Sequence, residues 1–309
     1  METNFYSHGK LLLTAEYLVL DGAKALAVPT KKGQFLKAAD AEKNTLSWKS
    51  IDHKGKIWFE QEYEITPQQF LPKKKLTDAK ANLICRALQN ILSTLRTLQP
   101  ELFVEKGFAI TTSLEFPQDW GLGSSSTLIN NLATWAEVNP YELLAKTFSG
   151  SGYDLACAKH SNPILFQLQK NKNPFVEEVE FSPKFKDELF FVHLNQKQNS
   201  REGIQHYRQQ DLAKRQDWIK KVNRITAEIL KAEDIITFEN LIEEHEFLLS
   251  EILVLPTVKQ RLFADYPRSI KSLGAWGGDF ILATGGENEK NYFKEKGYKT
   301  ILDYQEMVL

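Results

Sequence analysis

A glycine- and serine-rich stretch in the middle of the chain most constrains what this sequence can fold into. Residues 116–129 read Phe-Pro-Gln-Asp-Trp-Gly-Leu-Gly-Ser-Ser-Ser-Thr-Leu-Ile, between a predicted strand over 107–114 and an apolar run with helical spacing. A glycine-rich turn that opens a helix directs backbone N–H groups and the positive end of the helix dipole toward one point, which suits phosphate. A serine-capped helix start is the plain alternative, but two glycines and three serines exceed what a cap needs. The stretch lacks the endings of a P-loop or a dinucleotide fingerprint.

Composition narrows the class of protein. A chain of 309 residues suggests two domains, which we place at 1–168 and 169–309. A net charge of −1 without a basic excess argues against a nucleic-acid partner. No apolar run reaches membrane-spanning length and no signal peptide is visible, so we expect a cytoplasmic protein without a membrane partner. Cys85 and Cys157 lie in apolar sequence and are expected to be buried and reduced.

Two charged residues stand in apolar sequence near the start of the chain. Lys10 lies inside a predicted strand, and Glu16 interrupts the apolar run that follows it. Taken singly, a snorkelling lysine and a carboxylate at a helix start explain them well. Because they occur together in one short segment, they also become candidates for a site.

Two further small-residue turns carry one carboxylate each. Asp154 follows the turn 149–153 and opens an apolar helix, where a dipole-stabilised aspartate is the simpler explanation if the turn is taken alone. Residues 274–279 form a glycine-rich turn before a predicted strand over 280–284, and a plain tight turn is the alternative there. Long helices are predicted over 202–231 and 238–254. Helices mixed with antiparallel-looking strands indicate α+β organisation.

These stretches, in this order, resemble the motifs of the GHMP kinase superfamily. The likeness lies in residues 9–17 with 25–29, in Pro117 with residues 121–126, in the turn 150–154, and in residues 274–279. Within the superfamily, the chain is most similar to the phosphomevalonate and mevalonate kinases. It departs from the family pattern at Ala15, where glycine is usual, and at Trp276, which replaces a small residue.

The resemblance implies a fold and an activity. The fold would be a two-domain α+β GHMP kinase fold, with a mixed-sheet, ATP-binding N-terminal domain and a ferredoxin-like C-terminal domain. The activity would be ATP- and Mg²⁺-dependent transfer of the γ-phosphoryl group to a small acidic acceptor, mevalonate or phosphomevalonate, by a monomer or homodimer. The alternatives are another activity of the superfamily (homoserine kinase, sugar kinase or diphosphomevalonate decarboxylase) and a non-catalytic ligand sensor.

The resemblance also implies roles for individual residues. Asp154 and Lys10 would be catalytic, and Ser125 would ligate Mg²⁺, with Ser124 as its rival. The residues expected to hold the ATP phosphates are Gly121, Leu122, Gly123, Ser124, Ser125 and Ser126. Those expected to contact the acceptor are Glu16, Tyr17, Ser200, Arg201, Gly277 and Gly278.

Overall fold

The structure, a computed structural model, describes residues 2–148, 150–170, 173–197, 200–211, 213–274, 276 and 278–309. The chain packs into two compact units, each assembled from several stretches of sequence. The first unit holds Met1–Gly9, Lys32–Gln118 and Gly123–Lys159, and the second holds Lys10–Lys31, Asp119–Leu122 and His160–Leu309. The boundary after residue 168 concerns domains rather than packing units, and it stays a prediction.

Strands and helices alternate along the chain. The strands are β1 (Glu2–Leu12), β2 (Ala25–Ala41), β3 (Thr45–Ile51), β4 (Ile57–Ile65), β5 (Phe70–Pro72), β6 (Gly107–Leu114), β7 (Ile164–Gln167), β8 (Phe175–Glu178), β9 (Leu189–His193), β10 (Ile270–Ser272), β11 (Phe280–Thr284) and β12 (Ile301–Asp303). The helices are α1 (Ala79–Leu98), α2 (Ser124–Trp135), α3 (Pro140–Thr147), α4 (Tyr153–Lys159), α5 (Ser200–Arg208), α6 (Arg215–Ile229), α7 (Ile235–Leu253), α8 (Val258–Leu262), α9 (Glu287–Glu295) and α10 (Tyr304–Met307).

In the first unit, helices cover a mixed sheet. Its strand order is β5-β4-β3-β6-β2, with β3 and β6 parallel and the other neighbours antiparallel. Strands β3 and β4 bury every second side chain, which is the period that gives a sheet one apolar face. Asp78 caps α1 by accepting the Ala81 N–H at 2.7 Å, and the helix buries one apolar stripe against the core. The core of this unit therefore lies between α1, α2, α3 and this sheet face.

The second unit contains a four-stranded antiparallel sheet of order β10-β11-β9-β12. Along the chain the pattern is β9, helices, β10, β11, α9 and β12, which is the βαββαβ arrangement of a ferredoxin-like fold. Strands β9 and β11 are buried along their whole length. The N-terminal part of β2 pairs with β7, and β7 pairs with β8. The expected α+β fold with a mixed-sheet part and a ferredoxin-like part is confirmed.

Two smaller expectations can also be compared with the structure. Cys85 and Cys157 are both buried, as predicted, and neither forms a disulfide. The helix predicted over 202–231 was wrong as a single element, because α5 ends at Arg208 and α6 begins at Arg215. Asp211 accepts the Ala213 N–H at 2.9 Å, and this local side-chain bond competes with the helical bonding pattern. Among the described helices, none is both long and apolar enough to cross a membrane.

Candidate active site

The glycine-serine loop ends as the start of α2. Gly121 and Gly123 have φ of 65° and 88°, the left-handed region that glycine adopts without strain. Because Gly123 is the N-cap of α2, no cap side chain occupies the first amides of this twelve-residue helix. Ser125 is exposed and Ser124 is half-buried. The helix start therefore offers backbone donors and hydroxyl groups of the kind that bind an anion.

Asp154 meets this helix start within the first unit. The Ser126 hydroxyl donates to Asp154 Oδ2 at 2.5 Å, and the Leu155 N–H donates to Oδ1 at 3.1 Å. Asp154 itself is half-buried in the first turn of α4. Burial and the Asp154 charge raise the pKa of Tyr141 to about 12, so the phenol remains protonated beside the carboxylate at neutral pH. The sequence suggested Ser126 as a phosphate ligand but gave no sign of this bond.

Lys10 is held against the loop within the second unit. Its Nζ donates to the Gly121 carbonyl at 2.9 Å, and its backbone N–H donates to the Leu122 carbonyl at 3.0 Å. The residue is only 8 % exposed, so its ammonium group does not snorkel into bulk water. A buried ammonium fixed by a carbonyl can stabilise negative charge that develops close to it.

The third glycine-rich stretch also lies against the loop. A Cβ placed on Gly121 would come within 2.2 Å of Asp279 Oδ2, and one on Gly274 would come within 3.1 Å of the same oxygen. Asp279 and Gly278 are both buried, whereas Gly277 lies outside the described residues. The close approach of Asp279 explains why position 121 must be glycine.

The predicted acceptor-binding residues have different surroundings. Glu16 is 1 % exposed and forms an ion pair with Lys271, and burial raises the pKa of Glu16 to about 7 although Lys271 opposes the shift. Tyr17 is buried and stacks on Tyr207, with 5.6 Å between ring centroids. Arg201 is exposed in the first turn of α5. Ser200 is the first residue of α5, but its side chain lies outside the described structure. The acceptor contacts of these residues stay predictions.

A buried polar network anchors α2 and was missed in the sequence. Thr127 Oγ1 donates to Gln34 Oε1 at 2.7 Å and approaches the Gly123 carbonyl at 3.2 Å. Asn131 donates to the Gln34 carbonyl at 2.9 Å and accepts the Ser7 hydroxyl at 2.7 Å. The available signal was polar residues at positions of β1, β2 and α2 that would otherwise be apolar. The network joins the start of α2 to two strands of the first unit.

Aromatic side chains flank the other end of the loop in the second unit. Trp120 packs edge-on against Phe280, with 5.4 Å between centroids, and against the His193 ring at 6.3 Å. His193 Nε2 also lies 3.3 Å from the Asp119 carbonyl. Nothing in the apolar strand β9 marked His193 as a neighbour of the loop.

The oxygen groups of this region fit a hard cation. Within the part of the chain that the structure describes, no three His, Cys, Asp or Glu side chains are grouped as a metal site. The Ser125 hydroxyl and the Asp154 carboxylate are the kinds of ligand that Mg²⁺ accepts alongside phosphate oxygens and water. The donor chemistry is therefore compatible with Mg²⁺ and a nucleotide triphosphate, and the amides of α2 suit the phosphates.

Several solved structures that are similar to this chain are kinases of small molecules. Mevalonate kinase from L. major in complex with R-mevalonate is 13 % identical with a TM-score of 0.67, covering 97 % of this chain and 94 % of its own. Galactokinase from Lactococcus lactis with galactose is 14 % identical with a TM-score of 0.70, covering 100 % and 93 %. Phosphomevalonate kinase from Streptococcus pneumoniae with phosphomevalonate and AMPPNP is 16 % identical with a TM-score of 0.65, covering 97 % and 99 %.

The likeness extends over nearly the whole of each chain. No protein-family model matches the sequence, and no curated protein matches it. At these identities the solved structures establish the fold, and the resemblance to GHMP kinases is confirmed at that level.

Proposed function

We propose that this chain is an ATP- and Mg²⁺-dependent kinase that transfers the γ-phosphoryl group to a hydroxyl or phosphate oxygen of a small acidic acceptor. The observation that carries the proposal is the pairing of Ser126 with Asp154 at the uncapped start of α2. A capping serine alone would not require a carboxylate partner at 2.5 Å. Phosphoryl transfer depends mainly on positioning and charge neutralisation. The amides at the start of α2 suit the phosphate charge, and the Asp154 carboxylate suits the positioning of an acceptor oxygen.

Each residue has one task in the proposed reaction. The amides of residues 121–126 hold the phosphates of ATP, and Ser125 offers its exposed hydroxyl to Mg²⁺. Asp154 orients the acceptor oxygen and accepts its proton, since each carboxylate oxygen retains a lone pair beyond the bonds from Ser126 and Leu155. Lys10 stabilises negative charge on the transferring group. When bound, Mg·ATP supplies the phosphoryl group and neutralises part of its charge.

We propose mevalonate or phosphomevalonate as the acceptor. The proposal rests on the sequence resemblance to that branch and on fold neighbours that bind R-mevalonate or phosphomevalonate. The exposed guanidinium of Arg201 suits a carboxylate or phosphate on the acceptor. The galactokinase neighbour supports a sugar kinase as the second candidate.

An acceptor panel tests the activity and its substrate together. Purified protein with Mg·ATP is given mevalonate, phosphomevalonate, homoserine or galactose, and release of ADP is measured. We expect one acceptor to be turned over, and Asp154→Asn to lower kcat by about 10²- to 10⁴-fold because a general base is lost. Binding of ATP by Asp154→Asn should remain near that of the unmodified chain, since the amides of α2 are intact.

Two results would contradict the proposal. Equal turnover by Asp154→Asn would remove the assignment of Asp154 as the base. ATP binding without ADP release for any acceptor would favour the non-catalytic sensor. Ser125→Ala tests the metal ligand. If ADP release by this variant depends on Mg²⁺ as it does in the unmodified chain, another residue ligates the metal.

A further inference from the structure

A cluster of charged side chains is buried in the second unit, and two of its three members, Lys271 and Glu246, have no task in the proposed reaction. Lys271 Nζ donates to the Glu16 carboxylate, to Glu246 Oε1 at 3.0 Å and to the Ser272 carbonyl at 2.6 Å. The side chains of Glu16, Lys271 and Glu246 are at most 4 % exposed. Although burial opposes the charge, the two carboxylates raise the pKa of Lys271, which therefore stays protonated. We call Glu16, Lys271 and Glu246 the ionic cluster.

Ala15 and Trp276, the two residues that depart from the family motifs, contact adjacent residues of α7. The Ala15 N–H donates to His245 Nε2 at 2.9 Å, and the Trp276 indole N–H points at Glu246 Oε1 at 3.4 Å. Burial lowers the pKa of His245 well below its usual value, so the ring is neutral and can accept the bond from Ala15. Two adjacent residues of α7 thus hold the segment after β1 and the turn after β10.

Glu246 holds that turn on both sides. Its Oε2 accepts the Ser272 hydroxyl at 2.7 Å just before Gly274, and its Oε1 faces Trp276 just after it. The same turn leads to Asp279, whose carboxylate packs against Gly121. Within the second unit, contacts therefore lead from Glu246 through the turn to Gly121, and the Gly121 carbonyl accepts the bond from Lys10.

We propose that Glu246 is a positioning residue that fixes Trp276, and through the turn Asp279, so that Gly121 keeps the conformation needed to bind ATP phosphates. For ATP, this inference rests on the proposed function. In this scheme Trp276 helps to hold the turn in place, because its indole N–H donates to the buried Glu246 carboxylate. Glu246 contacts neither ATP nor acceptor in this scheme, and it acts through the turn.

The test compares two buried carboxylates on one helix. Glu239 lies two turns before Glu246 on α7 and accepts bonds from Arg268 Nε at 2.7 Å and from the Thr284 hydroxyl. Among the described residues, it has no hydrogen bond to the turn. Glu246→Met removes the acceptor but leaves Lys271 paired with Glu16. We expect Glu246→Met to raise the Kd of Mg·ATP about tenfold or more. Glu239→Met is the control and should leave this Kd unchanged.

Conservative variants separate positioning from simple stability. Glu246→Gln keeps an oxygen that can accept from Lys271 and Trp276, so it should recover most of the ATP affinity. Trp276→Phe keeps the ring but loses the donor, and it should weaken ATP binding less than Glu246→Met does. Combined with Glu246→Met, Trp276→Phe should add no further loss, because the bond is already absent. If Glu246→Met fails to fold, Glu246→Gln and Trp276→Phe carry the test.

Hydrogen exchange gives a readout that does not need ATP. Glu246→Met should speed amide exchange in residues 119–123 and 272–280, while Glu239→Met should not. Unchanged exchange in both segments would overturn the inference even if the protein is a kinase. If the unmodified chain does not bind Mg·ATP, the proposed function fails, and the exchange result alone decides the positioning role.

Discussion

At the scale of single residues, close contacts explain why a particular residue type occupies a given position. Gly121 combines a φ of 65° with a neighbouring carboxylate that leaves no room for a side chain. The motif identified Gly121 as part of a phosphate loop, but only the structure gives Asp279 as the reason for the glycine. The bond between Ser126 and Asp154 is of the same kind, because it joins two motifs whose separate roles were predicted and whose contact was not.

Replacing Gly121 by alanine should be costly for a local and measurable reason. The added methyl group would clash with Asp279 and force a strained φ, so the free energy of unfolding should fall by about 2 kcal/mol or more. Gly55→Ala is the matched control, because Gly55 has a φ of 79° with nothing within 4 Å of its Cβ position. It should cost only the strain, about 1 kcal/mol. Equal losses in urea unfolding would show that the contact with Asp279 does not matter.

The buried acid Glu16 should make stability depend on pH. Its pKa is raised from 4.5 to about 7, so between these values the folded chain binds a proton that the unfolded chain releases. The free energy of unfolding attributable to Glu16 therefore falls as the pH rises through this window and levels off above it. His245, whose pKa is lowered, contributes in the opposite direction.

Glu16→Gln isolates this effect, because the amide does not titrate while His245 remains. Urea unfolding at pH 5 and pH 8 should give a smaller decrease, or a larger increase, in the free energy of unfolding for the variant than for the unmodified chain. The same change with pH in both proteins would mean that Glu16 is ionised throughout.

At the scale of elements, caps and local side-chain bonds decide where helices begin and end. Helix α7 was predicted over 238–254 and spans Ile235–Leu253, because Asp234 caps it by accepting the Thr237 N–H at 2.8 Å. Periodicity indicated this helix but could not identify its cap. The split between α5 and α6 has a similar origin in Asp211, and it lacks the glycine or proline by which a helix end is usually recognised.

The polar network beneath α2 yields a prediction for that helix. Thr127→Val removes the donor to Gln34 and leaves a buried amide oxygen with one partner fewer, which should lower the free energy of unfolding by about 1–3 kcal/mol. Because Thr127 lies in the first turns of α2, the Kd of Mg·ATP should rise as well. Thr112→Val is the control, since Thr112 is buried in the same unit and donates to Ser50 at 3.1 Å, away from the loop.

This control should lose stability without losing ATP affinity. Calorimetric titration with Mg·ATP, together with urea unfolding, measures both quantities for the two variants. An unchanged Kd of Mg·ATP in Thr127→Val would mean that the polar network beneath α2 contributes to stability and not to ATP binding.

At the scale of the whole molecule, the motifs predicted the fold because each family motif has a fixed place in it. The sequence could not predict that each packing unit is assembled from separate stretches of the chain, since this depends on pairings between distant segments. Strand β2 illustrates the point: its seventeen residues pair with β7 near one end and with β6 near the other. The ionic cluster could not be predicted either, because nothing in the sequence near Glu16 indicates that it pairs with Lys271.

The assembly of the second unit from separate stretches predicts the behaviour of a C-terminal fragment. Residues 160–309 alone lack Ala25–Ala27, with which β7 pairs, and Glu16, with which Lys271 pairs. Because one acceptor of a buried ammonium and a strand partner are missing, the fragment should not unfold cooperatively. Thermal unfolding followed by circular dichroism is the measurement, with the full chain as the reference. A sharp, cooperative transition in the fragment would contradict this expectation.

The separation of Glu16 and Lys271 has a consequence for synthesis on the ribosome. The two residues are 255 positions apart, and at roughly 5–20 residues per second the lysine emerges tens of seconds after the acid. During that time, residues 10–31 leave the ribosome without the later segments they pack against. Until then the acid stays hydrated and its apolar neighbours stay exposed, so residues 10–31 are a stretch that a nascent-chain chaperone would protect.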